Sequence, residues 1–163
     1  VFDFYHFYGN SNSYIDSPGW YRNEARIIRN SIRSYAPDGL FWLVLDSNKK
    51  GRYPKAKHTA VNCYHYGWIR SEDEMNLKSE MVQKYWSGKP VKIDYSQMDQ
   101  SIINQFRGTH PAVVHDWLPS AEGVFQVDRK YTLTKKQKKH RIMLKLEKLF
   151  GLELSKKHFK LVK

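Results

Sequence analysis

Histidines, carboxylates and arginines gather at several places in this chain, and each place suits a different chemistry. In VNCYHYGWIR, residues 61–70, His65 stands between Tyr64 and Tyr66. A histidine in that setting is a buried ring with satisfied hydrogen bonds, a general base or a metal ligand. A metal would need carboxylates from elsewhere, and the chain has no D-x-D pair. In WYRNEARIIRN, Glu24 lies among Arg22, Arg26 and Arg29. It either forms exposed ion pairs of little consequence or acts as a catalytic carboxylate whose arginine neighbours handle phosphate. GTHP, residues 108–111, holds His110 in a tight turn, as turn chemistry or as a ligand contact. His115 and Asp116 follow closely, but adjacent residues rarely share one site geometry. The run Glu72-Asp73-Glu74 resembles a metal cluster and reads better as an acidic first turn offsetting a helix dipole.

Other chemistries find little support. Cys63 lies two residues before His65 without an orienting third group, which disfavours a cysteine hydrolase. No G-x-S-x-G elbow, P-loop or G-x-G-x-x-G is present. KKQKKHR, residues 135–141, is either a solvated helix face or a contact with anionic headgroups or nucleic acid. No helix-turn-helix, zinc-finger or RNP pattern accompanies it.

These residues must be positioned by secondary structure. VFDFYHFYG is expected as a strand ending at Gly9, and NSNSYIDSPGW as a loop. GLFWLVLD is a continuous apolar run, expected as a buried strand. TAVNCYHY alternates, placing Val61, Cys63 and His65 on one face and Asn62, Tyr64 and Tyr66 on the other. His65 is thereby expected where the strand leaves the sheet. Ser71 and Glu74 predict a capping box, opening a helix with Leu77, Met81 and Tyr85 on its apolar side. SQMDQSIINQF is expected as a second helix with Met98, Ile102 and Phe106 along one side. Thr134 predicts the cap of a helix through Phe150, apolar at Ile142, Leu146, Leu149 and Phe150, with Gly151 at C′.

With 163 residues, 40% hydrophobic and 15% aromatic, the chain can fold as one domain with stacking surfaces. A single cysteine excludes an internal disulfide and fits a reducing compartment. The net charge of +12 is uneven. Residues 1–129 hold 16 basic and 14 acidic side chains, whereas residues 130–163 hold 12 and 2. The basic character therefore belongs to the C-terminal segment, which suits anionic membrane or nucleic acid.

Three stretches, FYHFYGN…YIDSPGWYRNEARIIRN, VNCYHYGWIRSEDEMNLK and FRGTHPAVV, resemble the C-terminal half of bacterial family 2 glycosyltransferases over residues 1–118. The resemblance implies a GT-A fold, a Rossmann-like α/β domain with a mixed sheet and flanking helices. On that reading residues 1–128 are the acceptor-side half, and residues 129–163 a basic helical extension. The nucleotide-binding half and its D-x-D motif are missing, so this chain is expected to be a fragment inactive alone. The implied reaction moves a sugar from a nucleotide-sugar to a carbohydrate or lipid-linked acceptor, with inversion, assisted by Mn or Mg in the intact enzyme. No tight cation binding is expected of this chain alone. The resemblance makes Glu24 the candidate base and His65 the metal or diphosphate contact. Trp20, Tyr66 and Trp68 become stacking residues, Arg26 and Arg70 phosphate contacts, and His110 part of the site wall. A cytoplasmic location follows, with the basic helix against the inner face of the membrane. The alternative is a non-catalytic module binding nucleic acid or carbohydrate.

Overall fold

The structure, a computed structural model, describes residues 1–86, 88–118 and 126–162. It is a mixed α/β arrangement built on β1, Phe2–Tyr8. Gly9, at φ 72°, turns the chain directly into β2, Asn10–Ile15. A stretch expected as a loop is therefore half of an antiparallel hairpin. The positive φ at Gly9, open to glycine at little cost, lets the polar Asn-Ser-Asn-Ser run pair with β1. β3, Asn23–Glu24, continues along the same edge of β1, opposite Phe2 and Asp3. The loop between β2 and β3 is thrown out of the sheet. β8, Asn62–Trp68, lies parallel to the other edge of β1. β9, Ile103–Gln105, pairs outside β2.

The sheet has two dissimilar faces. Phe4, His6 and Tyr8 point to one, with Cys63, His65 and Trp68 beside them on β8. Two β8 residues oppose one of β1 between His65 and Trp68, and this bulge keeps Trp68 on the His65 face. Tyr5 and Phe7 point to the other, where Tyr14, Tyr64, Tyr66 and Phe106 pack with Ile69 and Leu118. The alternation read from TAVNCYHY holds. His65 lies inside β8 rather than at its end, because the strand runs on to Trp68.

Two helices among the described residues cover the His6 face. α1, Glu72–Trp86, opens with the Ser71–Glu74 capping box. Its acidic first turn includes Glu72, which accepts from the Tyr95 amide. Among the described side chains of α1, Met75 is buried, and Leu77, Met81 and Tyr85 are exposed. The expected apolar stripe thus faces away from the core. α2, Lys135–Phe150, has a reciprocal capping box between Thr134 and Gln137 and ends at Gly151 in the left-handed conformation. Leu144 of α2 joins Tyr8, Ile15, Met75, Tyr95 and Ile102 in one cluster. Two buried carboxylates fasten α2 to the sheet side: Asp99 accepts from Arg141 Nε and Nη2, and Glu147 accepts from both Arg22 terminal nitrogens.

Two further expectations are corrected. SQMDQSIINQF is no helix. Asp99 accepts from the Ser101 amide, capping a short 3-10 turn at Gln100–Ile102, and β9 follows. An aspartate bonding its own backbone two residues on competes with helix propagation. GLFWLVLD yields only β5, Leu43–Leu45, in a small sheet with β4, Ser34–Tyr35, and β6, Gly51–Arg52. Of β5 only Val44 is buried, since this sheet lies at the periphery. After α2 the chain returns beside β7, Lys55–Ala56, as β10, Lys160–Leu161, burying Phe159 against Val1 and Ala25.

Candidate functional site

The loop between β2 and β3 carries Trp20 and Tyr21, and three contacts fix it. Arg22 bonds Asp16 at the loop's start, closing its base. Through Glu147 the same arginine ties the loop to α2 at 2.8 Å. At its tip Ser17, Pro18, Gly19 and Trp20 form a turn in which the Trp20 amide bonds Ser17 at 3.0 Å. A Cβ on Gly19 would run into the His140 ring of α2, so glycine permits this close approach.

On one side of the loop stands a histidine pair. His6, 1% exposed, faces His65 across β1 and β8, with their Nδ1 atoms 2.9 Å apart. Its other nitrogen, Nε2, lies 2.7 Å from the Tyr21 carbonyl. A carbonyl only accepts, so His6 Nε2 carries the proton. Burial, with the nearby His65 and Arg26 charges, lowers the His6 pKa to about 4, against the opposing pull of the Tyr21 bond. The ring is neutral, and its Nδ1 accepts. His65 must therefore donate from Nδ1 and keep its lone pair on Nε2. Burial first, then Lys78 and Arg26, also lowers the His65 pKa. His65 Nε2 sits over Gly67, where a Cβ would come within 2.8 Å. Trp20 meets His6 and Trp68 edge-on, at 5.2 and 5.5 Å. Arg26 lies 5.1 Å from the Phe4 ring centre and donates to Tyr21 Oη and the Leu40 carbonyl.

On the other side of the loop is a second pairing. Glu24 is 1% exposed. Its Oε1 accepts from the Ala25 amide at 3.0 Å, and its Oε2 accepts from His158 Nδ1 at 2.8 Å. His158 stacks on Phe41 with ring centres 4.2 Å apart. The carboxylate thus takes the Nδ1 side of His158 and fixes the plane of its ring, leaving Nε2 on the side of the ring away from Glu24. A cleft of about 340 Å³ opens here, walled by Trp20, Tyr21, Phe41, Leu40 and Lys156 with Glu24 and His158. A larger groove of about 700 Å³, near Val1, Ile28, Trp42 and Val44, has neither histidine nor carboxylate among the described residues of its lining.

The residues singled out from the sequence are thus divided. Trp20, Arg26, His65 and Trp68 share the His6 face. Tyr66 and His110 lie on the opposite face, where Tyr66 stacks on Phe7 at 4.9 Å and its hydroxyl bonds His110 Nδ1 at 2.9 Å. The Arg70 side chain is exposed, and its carbonyl accepts from Tyr95 Oη. Glu24 and His65 sit beside opposite edges of β1, four residues apart in register, which separates their Cα atoms by about 16 Å. The divalent cation implied by the resemblance is not matched by these side chains. Among the described residues no three histidines, cysteines or carboxylates converge, and His65 Nδ1 is taken by His6.

His6 and His158 escaped sequence reasoning. For His6 a signal existed: Tyr5-His6-Phe7 and Tyr64-His65-Tyr66 are near-identical triplets, and in the parallel pair they lie side by side. His158 had none, being 134 residues from its carboxylate. No protein-family model, curated protein or solved structure matches this chain.

Proposed function

We propose that this chain carries the acceptor side of an inverting glycosyltransferase of GT-A type, acting on a nucleotide-sugar donor and a carbohydrate or lipid-linked hydroxyl. The observation that carries the reading is the Glu24–His158 pair at an aromatic-walled cleft. A buried carboxylate that orients a histidine is the arrangement a general base needs. Trp20, Tyr21 and Phe41 provide ring faces and edges of the kind that pack against sugar rings. The cleft falls within the range of small-ligand sites, about 300–1,000 Å³.

In this reading Glu24 is not itself the base, since its carboxylate is buried behind His158. The acceptor hydroxyl gives its proton to His158 Nε2. The oxygen attacks the anomeric carbon on the face opposite the nucleotide diphosphate. The bond from that carbon to the diphosphate oxygen breaks, and its electrons leave with the diphosphate. Glu24 stabilises the imidazolium that results. Arg26, whose guanidinium reaches Tyr21 Oη and the Leu40 carbonyl at the wall of the cleft, is assigned to the departing phosphate.

Saturation-transfer NMR with a panel of methyl hexosides tests the reading. Transfer from the protein to at least one sugar is expected, abolished in Trp20→Ala and Phe41→Ala and retained in His110→Ala on the opposite face. Absence of transfer to every sugar contradicts it.

A further inference from the structure

We propose that the outward face of α2 is an interfacial ridge that inserts into an anionic lipid surface. The expected apolar side of this helix is not the side it buries. Leu144 and Glu147 face the core. At about 100° per residue, Ile142, Leu146 and Leu149 fall on the opposite side. They are 60%, 41% and 73% exposed, and Phe150 beside them is 62% exposed. Lys138 and Lys145 flank this line on one side and Lys139 on the other, with Lys135 in line at its N-terminal end. All four lysines are exposed.

The charge pattern selects the occupant. The only acidic residue of α2 is Glu147, turned inward and consumed by Arg22. The outward face therefore presents cations alone, along both flanks of an apolar line. A second copy docked on it would set lysines against lysines. Nucleic acid would meet apolar side chains along the middle of the face. An anionic bilayer surface satisfies both parts, since lysine stems lie along the acyl boundary while their ammonium groups reach the headgroups. No helix among the described residues is long and apolar enough to cross a membrane, so α2 would lie in the interface plane. His140 of α2 packs at Gly19, which brings the Trp20 loop close to the lipid-facing helix. The inference stands independently of glycosyl transfer; if both hold, the acceptor is lipid-linked.

Flotation of the full chain with vesicles tests this. Binding is expected to mixed phosphatidylcholine and phosphatidylglycerol, with release at high salt, and not to phosphatidylcholine alone. Leu146→Glu with Leu149→Glu should lower the partition coefficient about tenfold or more. Each of Lys138→Gln and Lys145→Gln should lower it about fivefold. Leu77→Glu with Met81→Glu on α1, equally exposed, should leave it unchanged. Circular dichroism checks that each variant stays folded. Three results would overturn the proposal: no flotation with the anionic vesicles, flotation insensitive to the ridge substitutions, or a dimer in sedimentation that those substitutions dissociate.

Discussion

Acidification should unfold this protein through His6, and the size of the effect follows from the geometry. The ring is enclosed between Trp20, Tyr21 and Phe4, with its Nε2 bound to the Tyr21 carbonyl. Burial, chiefly, takes its pKa from 6.5 to about 4. An unfolded chain binds this proton near its ordinary value and the native chain only near 4. Between those values the unfolded state holds more protons, so stability falls as pH falls. The full difference is worth about 3 kcal/mol, of which about 2.5 kcal/mol is lost by about pH 4.5. The lowered carboxylates, Glu74, Asp94, Asp99, Glu147 and Glu153, give up their contributions further into acid and do not mask this window. The assay is urea unfolding by tryptophan fluorescence between about pH 7.5 and about pH 4.5, on the wild type and His6→Gln. Glutamine can still donate to Tyr21 and cannot titrate. The wild type should lose about 2.5 kcal/mol more than the variant over this range. His65 and His140, also lowered, are common to both proteins. Equal losses in the two proteins would refute the assignment of a buried neutral His6.

Three further outcomes are expected. Arg22→Met leaves the buried Glu147 without its bidentate partner and should cost about 3 kcal/mol in chemical unfolding. The double change with Glu147→Leu should recover most of that, and no recovery would contradict an isolated buried charge as the cause. Gly67→Ala puts a Cβ 2.8 Å from His65 Nε2. It should displace the ring from His6, seen as a changed His65 tautomer in nitrogen-15 NMR, and an unchanged spectrum would count against the His6–His65 hydrogen bond. Leu77→Gln and Met81→Gln on α1 should each alter stability by less than about 0.5 kcal/mol, because both side chains already face solvent.

Local rules were legible wherever the outcome depended on neighbours in sequence. The Ser71–Glu74 capping box, the Thr134 cap and the left-handed Gly151 could be read directly, since each is made within a few residues. The alternation around His65 was legible for the same reason. What failed were statements about which side of an element faces inward. Leu77, Met81 and Tyr85, like Ile142, Leu146 and Leu149, form regular stripes, and periodicity cannot say whether a stripe is covered. Met75 and Leu144 take the core instead, beside polar anchors such as Glu147. The Asp99 turn displaced a helix because one side chain bonded its own backbone. The candidate site was half legible: Glu24, Trp20 and His65 stood out by type and setting. His158 did not, because its meeting with Glu24 depends on the path of the chain after α2.

The central claim is that Glu24 holds His158 as a base facing the acceptor cleft. It is tested most directly by long-range proton–nitrogen NMR of the histidine-labelled chain, titrated with a methyl hexoside that saturation transfer shows to bind. The account predicts a His158 protonated at Nδ1 with its lone pair on Nε2, an Nε2 resonance that moves with added sugar, and loss of that tautomer in Glu24→Gln. A His158 protonated at Nε2, or an Nε2 resonance indifferent to a sugar that binds, would contradict it.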